Sequence, residues 1–252
     1  MTALAQTASH AAAFARDGFV IVPDLFTRAE IAEAKRETQR VLTEKGNASE
    51  GSAEDRAKNQ DNGVNVGLAG HSDVIRSLHA DARIVDILAE IIGPNVQFWS
   101  DKAVYKSAAV DFGSPWHQDW PYWHGAHKYS VWIALDDATP ENGCLKLIPG
   151  THRSLLNHNG SGPGNGFWNR MRPEDVDEST AIVASVRAGT CIIFHDLALH
   201  ASFPNTSGKD RWCIISTYRD GSADDYDYGF ARAQFMVRGQ WIAKSLGPSP
   251  SA

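Results

Sequence analysis

An imidazole and a carboxylate lie two residues apart in the run Trp116-His-Gln-Asp-Trp120. In an extended strand, residues i and i+2 project from the same face, so His117 and Asp119 could point into one cavity. A second histidine from elsewhere in the chain would complete the two-histidine, one-carboxylate set of non-haem Fe(II) oxygenases, which leaves coordination positions open. The spacing therefore predicts a metal site that still needs one ligand.

The third ligand has to come from the other histidines of the chain. His200 is the best candidate, because it follows an apolar run and precedes Arg211 by eleven residues. Arg211 could hold the distal carboxylate of a 2-oxo acid cosubstrate, since a guanidinium group forms a charge-assisted bidentate pair with a carboxylate. His195 lies near the same strand end and is a rival for the ligand role. The remaining candidates are His10, His71, His79, His124, His127, His152 and His158, of which we expect His124 and His127 to be surface residues.

The elements that must position these residues differ between the two parts of the chain. The part at about 1–95 is predicted to be largely helical, with a capping box at Thr27 and Glu30 ahead of a helix that ends near Gly46. A second helix is predicted at about 81–92 and a short strand at 18–22, whereas 47–70 is predicted to be a surface loop.

From residue 96 onward, short runs rich in β-branched and aromatic residues alternate with Gly, Pro and Asn clusters. Many short strands without intervening helices favour an antiparallel barrel or jelly roll. The Gly-rich segment 152–178 is predicted to be a long loop of the kind that acts as a lid. The predicted strands are 96–99, 103–107, 130–135, 144–147, 182–186, 190–195 and 212–218.

Composition limits the class of protein. The chain has 252 residues, of which 42% are hydrophobic and 21% charged, so we expect one domain over 1–252 with a full core. A formal net charge of -6 without a dense Lys and Arg run argues against a nucleic-acid partner. No apolar run is long enough to span a membrane, and we expect a cytoplasmic location. Three widely spaced cysteines predict free thiols rather than a disulfide framework.

Five stretches of the chain, in this order, resemble the phytanoyl-CoA dioxygenase (PhyH) family of Fe(II)/2-oxoglutarate oxygenases. They are Asp17-Gly-Phe-Val-Ile-Val-Pro-Asp-Leu-Phe26, Trp116-His-Gln-Asp-Trp-Pro-Tyr-Trp123, Val131-Trp-Ile-Ala-Leu-Asp-Asp-Ala-Thr-Pro-Glu-Asn-Gly-Cys-Leu145, Ile148-Pro-Gly-Thr-His152 and the segment from Leu199 through Arg211. The resemblance implies a mainly β fold with flanking α-helices, a double-stranded β-helix of the cupin-like jelly-roll type with its core at about 96–220. It also implies that His117, Asp119 and His200 bind Fe(II), and that Arg211 holds 2-oxoglutarate.

Further residues are candidates for the cosubstrate and the substrate. The resemblance implies that Trp132 lies near 2-oxoglutarate, and Lys106 and Ser202 could add hydrogen bonds. Aromatic residues after Asp119 and in the long loop are predicted to wall the substrate pocket, although aromatic side chains also fill strand cores. An arginine on that loop would suit a substrate with a carboxylate or phosphate group. The predicted substrate-binding residues are Trp120, Tyr122, Trp123, Phe167, Trp168 and Arg170.

These residues lead to the hypothesis of an Fe(II)- and 2-oxoglutarate-dependent dioxygenase that uses O2. We expect it to hydroxylate an unactivated C–H bond of a small molecule and to release succinate and CO2. Asp119 bears on the chemistry, because related halogenases replace this carboxylate with a small residue so that halide can coordinate. The same iron site could instead desaturate, cyclise or epimerise a natural-product substrate. A non-catalytic jelly-roll protein that binds a metal or small molecule is the alternative of another class, and Arg211 argues against it.

Overall fold

The computed structural model describes residues 9–45, 64–107, 113–158, 167, 169–228 and 233–249. Four α-helices lie within these ranges: α1 (His10–Asp17), α2 (Arg28–Lys45), α3 (Asp73–His79) and α4 (Ala82–Ile92). The strands of the same ranges are β1 (Phe19–Val22), β2 (Val64–Val66), β3 (Val96–Lys106), β4 (Lys128–Ala134), β5 (Leu145–Leu147), β6 (Ile182–Ala184), β7 (Cys191–His195), β8 (His200–Ser202), β9 (Arg211–Asp220), β10 (Asp225–Asp227), β11 (Phe235–Arg238) and β12 (Ser245–Pro248).

The largest sheet has the strand order β1-β7-β4-β9-β3-β11, and β2 also pairs with β3. Its pairings are antiparallel. Along β4, Val131 and Ile133 join a core that includes the helices, whereas Trp132 and Ala134 belong to a second buried cluster. Because successive strand residues point to opposite faces, the helices cover one face of this sheet and leave the other for a second layer.

That second layer is an antiparallel sheet of order β6-β5-β8. Leu145 and Leu147 of β5 share a buried cluster with Trp132 and Phe194 of the large sheet. The two sheets therefore pack face to face, as in a jelly roll. The predicted mainly β fold with flanking helices is confirmed. Strands from outside 96–220, namely β1, β2 and β11, also join the large sheet.

The structure corrects the predicted secondary structure at one important place. The polar residues Ser100, Asp101 and Lys102 predict a break between two strands, but β3 runs through them without interruption. The break is wrong because Asp101 is buried and paired on the helical side, while Lys102 lies on the opposite face. Most of the predicted loop 47–70 lies outside the described residues, but its end forms β2 and the 3₁₀ turn Leu68–Gly70.

Asp101 joins β3 to the helical layer. Its carboxylate accepts the main-chain N–H groups of Gly67 at 3.1 Å and Ala69 at 2.9 Å, and lies 2.7 Å from Nε2 of His79. Nδ1 of His79 lies 2.7 Å from Oγ of Ser216 on β9. Both Asp101 and His79 are buried, and buried polar groups are tolerated when such partners are present. The network fixes β3, whose next residue faces the space between the sheets.

Two expectations from composition can be compared with the structure. Cys144, Cys191 and Cys213 are free thiols and all three are buried, which confirms that prediction. Of the helices that lie in the described ranges, none combines the length and the apolar character needed to cross a bilayer.

Asp101→Ala should lower the free energy of unfolding by about 3–5 kcal/mol, because it leaves buried donors without their acceptor. Asp86→Ala is the matched control, since Asp86 pairs with Arg238 on the surface and its loss should cost about 1 kcal/mol or less. Urea unfolding followed by circular dichroism measures both changes. Equal losses in the two variants would show that the Asp101 network does not stabilise the fold.

Candidate active site

A cavity of about 300 Å³ lies between the two sheets. Its size is at the lower end of the range of small-molecule sites, about 300–1,000 Å³. Alternation along the strands brings side chains of both sheets to this cavity. The large sheet contributes Val64, Lys102, Val104, Lys106, Trp132, Phe194, Arg211 and Ile215, the small sheet contributes Leu145, His200 and Ser202, and other segments contribute Ser114, His117, Asp119, Tyr122, Trp123 and Phe167.

His117 and His200 face each other across an isolated antiparallel bridge. The N–H of His117 donates to the carbonyl of His200 at 3.0 Å, and the N–H of His200 donates to the carbonyl of His117 at 3.1 Å. A pair that exchanges both hydrogen bonds has its side chains on the same side. The imidazole centroids accordingly lie 4.2 Å apart.

Asp119 adds a carboxylate to this pair of imidazoles. Its Oδ1 lies 3.5 Å from Nε2 of His117, and its Oδ2 lies 4.0 Å from Nε2 of His200. Metal–ligand bonds are about 2.0–2.2 Å long, so ligand atoms on one ion are separated by no more than about 4 Å. One ligand atom from each of the three buried side chains lies within 4.8 Å of the other two, and the group could hold a metal ion. The donor set is that of non-haem Fe(II) oxygenases.

Both imidazoles are held in the tautomer that a metal needs. Nδ1 of His117 lies 2.8 Å from the carbonyl oxygen of Pro115, and Nδ1 of His200 lies 2.9 Å from that of Ala198. A carbonyl only accepts, so each Nδ1 carries the proton and each Nε2 has a free lone pair. Burial lowers the pKa of His200 to about 4, so this imidazole is neutral at pH 7. Neutral imidazole is the metal-binding form.

The carboxyl group of Asp119 is ionised in these surroundings. Burial alone would raise its pKa, but the nearby His200 and His117 imidazoles and the Lys102 ammonium group hold the pKa below its usual range. Asp119 therefore has the charge of a metal-binding carboxylate at neutral pH.

The expectation that His117 and Asp119 share an extended strand is wrong. Only the bridge at His117 is β-like, and Asp119 has φ −78° and ψ −30° at the start of the 3₁₀ turn Trp120–Tyr122. The N–H groups of Asp119 and Trp120 donate to the carbonyl of Asp196 at 2.7 and 3.1 Å. This turn, rather than strand alternation, brings the carboxylate beside the imidazoles.

Gln118 holds the ligand segment from behind and was not among the predicted site residues. Its amide donates to the carbonyls of Leu197 at 2.6 Å and Ser154 at 2.9 Å, and accepts the N–H of Leu156 at 2.8 Å. The side chain is fully buried. A glutamine between two ligands gives no sequence signal for such a role, because its partners are main-chain groups far along the chain.

His195, the rival third ligand, lies outside the His117 group. Its Nδ1 accepts the N–H of Leu197 at 3.1 Å and lies 3.1 Å from Oδ1 of Asp196. With His127 and Asp196 it forms a separate cluster. The same oxygen of Asp196 lies 2.9 Å from Nδ1 of His127, whose side chain is half-exposed.

Two cations meet at one end of the cavity. Lys106 and Arg211 are directly opposite each other in the register of β3 and β9, and both side chains are buried. Like charges in this position destabilise a sheet unless something compensates them. Arg211 donates through Nη2 to the carbonyl of Gly143 at 3.2 Å, whereas its Nη1 is buried and has no hydrogen-bond partner within the part of the chain described. This end of the cavity fits an anion.

The other residues predicted for the cosubstrate gather around Arg211. Lys106 donates through Nζ to Oγ of Ser202 at 2.8 Å and to the carbonyl of Phe203. The guanidinium carbon of Arg211 lies 5.4 Å from the centroid of Trp132, within the range of a cation–π contact. All four predicted residues thus line one end of the cavity.

Gly143 makes room for this arrangement. Its φ is +93°, and a Cβ atom there would lie 2.6 Å from Cδ of Lys106 and 2.8 Å from the carbonyl oxygen of Phe203. A side chain would therefore collide with the cation pair as well as strain the backbone. The carbonyl of the same glycine accepts a hydrogen bond from Arg211, so the main chain at Gly143 lies close to both cations.

Three predicted substrate-binding residues, Tyr122, Trp123 and Phe167, line the cavity. The ring centroid of Phe167 lies 4.5 Å from that of His117. The hydroxyl of Tyr122 donates to the carbonyl of Asn169 at 2.8 Å. Burial raises the pKa of Tyr122 to about 12, so the donor keeps its proton at neutral pH. These contacts join the predicted lid segment to the metal ligands, although 159–166 lie outside the described residues.

Two predicted substrate-binding residues do not line the cavity. Trp120 packs beside an aromatic cluster that contains Trp99, and its Nε1 donates to the carbonyl of Gly125 at 3.2 Å. Arg170 lines a separate surface cavity beside Trp116. Trp168 lies outside the described residues. Aromatic type alone could not separate pocket walls from a structural cluster.

Lys102 is a cavity residue that the sequence reasoning missed. Its distance of four residues from Lys106 places both side chains on one face of a continuous strand. That signal was present in the sequence, but the wrongly predicted break at 100–102 concealed it.

The family profile described as Phytanoyl-CoA dioxygenase (PhyH) matches residues 14–213. The chain belongs to this family. Ectoine dioxygenase from Sphingopyxis alaskensis is 27% identical to this PhyH protein over 223 residues, which cover 81% of this chain and 73% of the relative. L-proline trans-4-hydroxylase from Streptomyces griseoviridis is 26% identical over 230 residues, which cover 81% and 83% of the two chains.

A comparison of structures agrees with the family. The apo form of the non-haem monooxygenase ThoJ superimposes with a TM-score of 0.76 at 25% identity, covering 95% of this chain and 87% of that one. The PhyH protein is an Fe(II)- and 2-oxoglutarate-dependent dioxygenase, with O2 as its second cosubstrate. The predicted enzyme class is therefore confirmed, in preference to the alternative of a non-catalytic binding protein.

Metal binding should separate the two candidate third ligands. A divalent ion such as Mn(II) stabilises the folded protein by about 2.7 kcal/mol at a concentration 100 times its Kd. We expect His200→Ala to abolish this stabilisation and His195→Ala to retain it, as measured by thermal unfolding with and without the ion. The reverse pattern would transfer the ligand role to His195.

Proposed function

We propose that this PhyH-family enzyme hydroxylates an unactivated C–H bond of a small molecule at an Fe(II) ion held by His117, Asp119 and His200. One observation carries the proposal: a three-ligand set lines the same cavity as a buried guanidinium nitrogen of Arg211 that has no hydrogen-bond partner in the described ranges. With Fe(II), 2-oxoglutarate and O2 bound, one oxygen atom of O2 would enter succinate as 2-oxoglutarate loses CO2, and the other would enter the C–H bond of the substrate.

The three ligand residues would hold the metal ion in a fixed position as well as contribute charge. The main-chain bridge between His117 and His200 and the turn held by Asp196 leave the donor atoms little freedom to move. Ligands held rigidly by surrounding hydrogen bonds keep a metal site in its productive geometry. Three protein ligands leave three positions of an octahedral ion open, enough for a bidentate oxo acid and O2.

Arg211 would anchor the distal carboxylate of 2-oxoglutarate. Its Nη1, which the described residues leave without a partner, supplies a donor, and Lys106, directly opposite, adds a second positive charge. A carboxylate here would satisfy the buried nitrogen and relieve the repulsion between the two cations. Ser202 and Trp132 would form the adjacent wall of this cosubstrate site.

The aromatic side of the cavity would receive the substrate. Tyr122, Trp123 and Phe167 give an apolar wall beside the metal ligands, and such a wall excludes water from the reacting carbon. The limited cavity volume favours a small substrate, and the relatives named for ectoine and L-proline act on small molecules.

The intact ligand set favours hydroxylation over halogenation. Asp119 retains the carboxylate, so all three protein ligand positions are filled and none is left for a halide. A relative that is named a hydroxylase, L-proline trans-4-hydroxylase, supports the same outcome.

We also propose that the protein is located in the cytoplasm. Its three cysteines are free, buried thiols, and thiols stay reduced in that compartment.

Arg211→Leu should weaken 2-oxoglutarate binding by about 10- to 150-fold, because hydrogen bonds to a charged group contribute about 1.5–3 kcal/mol. Metal affinity should stay nearly unchanged. Calorimetric titration of the Mn(II)-loaded protein measures the first quantity, and titration of the metal-free protein measures the second. Arg172→Leu is the control, since that arginine is exposed and pairs with Asp175. A parallel loss of metal and 2-oxoglutarate affinity would make Arg211 structural.

The type of oxidation can be determined with labelled oxygen once a converted substrate is in hand. Under ¹⁸O2, hydroxylation should place one labelled atom in the product and one in succinate, both measured by mass spectrometry. A product that loses two hydrogens without gaining oxygen would mean desaturation or cyclisation. An isomer of unchanged mass would mean epimerisation. Either product would overturn the proposed hydroxylation while leaving the iron site intact.

A further inference from the structure

Lys102 differs from the other cations of the cavity in having no hydrogen-bond or ion-pair partner among the residues that the structure describes. Lys106 and Arg211 donate to Ser202 and Gly143, respectively. No hydrogen bond or ion pair joins the ammonium group of Lys102 to residues that the structure describes, although the side chain is half-buried and lines the cavity. A lysine that points into a cavity loses part of its hydration, and a ligand anion would restore the lost interactions.

The charge of the cavity also favours a further anion. Its described lining contains three cations, Lys102, Lys106 and Arg211, and one carboxylate, Asp119. Bound Fe(II) would add two positive charges and 2-oxoglutarate two negative charges, so these two additions cancel. The loaded cavity would still have two more positive than negative charges. In a partly buried site, such an excess attracts an anionic ligand and raises its affinity.

Lys102 lies away from the cosubstrate end of the cavity. At about 3.3 Å per residue, its α-carbon is about 13 Å along β3 from that of Lys106. Because Lys106, the last residue of β3, pairs with Arg211, the proposed anchor for 2-oxoglutarate lies at the end of the strand, whereas Lys102 lies in its interior. Lys102 lines the same cavity as Asp119 and His200.

We propose that Lys102 binds a carboxylate group of the primary substrate, which makes the substrate a small carboxylic acid. The inference rests on the proposed function, because it requires 2-oxoglutarate to occupy the Arg211 end. The ammonium group donates a charge-assisted hydrogen bond to the substrate carboxylate. Holding the substrate by this end positions its hydrocarbon part beside the metal ligands.

The aromatic part of the cavity lining fits the rest of such a molecule. Tyr122, Trp123 and Phe167 give an apolar surface, and Phe167 packs against the imidazole of His117. The cavity thus combines one cationic point with an aromatic wall, which suits an aliphatic or cyclic monocarboxylate. A single lysine is a point charge without the fork of a guanidinium group, so a carboxylate suits it better than a phosphate that needs several donors.

Calorimetric titration of the Mn(II)-loaded protein, saturated with 2-oxoglutarate, tests the proposal. The probes are a panel of small linear and cyclic monocarboxylates, including amino and imino acids, each paired with its primary amide, and cyclopentyl phosphate as the phosphate probe. We expect at least one carboxylate to bind the wild type at least about tenfold more tightly than its amide. Lys102→Met should remove this preference, whereas Lys102→Arg should keep most of it. Lys244→Met, on an exposed lysine, is the control.

Several results would overturn the assignment. They are equal binding of carboxylates and amides, unchanged carboxylate binding in Lys102→Met, binding of the phosphate probe alone, and no binding by any carboxylate. An equal loss of 2-oxoglutarate affinity in Lys102→Met would assign Lys102 to the cosubstrate instead. Thermal unfolding of Lys102→Met should match the wild type, and retained binding by Lys102→Arg separates loss of charge from loss of fold. Failure of the wild type to bind 2-oxoglutarate would instead contradict the proposed function.

Discussion

Two main-chain hydrogen bonds join His117 to His200 across an isolated bridge, and the positions of both imidazoles follow from them. The bridge connects a loop to a strand of the small sheet, so a change in either segment would move a ligand. The carbonyls of Pro115 and Ala198 then fix the tautomers, and the turn held by Asp196 places Asp119. Thus main-chain hydrogen bonds, rather than side-chain packing, determine the geometry of the ligand set.

The large sheet divides the remaining tasks between its two faces. On β3, Asp101 points to the helices and holds the strand in place, while Lys102 and Lys106 face the cavity. The register with β9 sets Arg211 opposite Lys106 and creates a strongly cationic end. The position of Lys102, farther along the same face, separates a second positive charge from the first. Strand alternation thus gives the cavity two separate cationic positions, in the same lining as His117, Asp119 and His200.

The jelly roll, and the convergence of His117, Asp119, His200 and Arg211 on one cavity, could be predicted because they depend on short motifs and on residue types with few alternatives. The conformation around Asp119 could not be predicted. The carboxylate is placed by a turn rather than by a strand, and the carbonyl that holds this turn belongs to Asp196, which is distant in sequence. The continuity of β3 was missed because three successive polar residues look like a break until the buried partner of Asp101 is known. Tertiary partners overrode local propensity at both places, and the error at β3 also hid Lys102.

An iron centre that chelates 2-oxoglutarate has a direct optical signature. When Fe(II) and 2-oxoglutarate are added together without oxygen, charge transfer from the metal to the bound oxo acid should produce a visible absorption band that neither produces alone. Admission of O2 should remove the band and yield one succinate for each 2-oxoglutarate consumed. Absence of the band, together with absence of succinate, would contradict a site in which His117, Asp119 and His200 hold iron beside the Arg211 anchor.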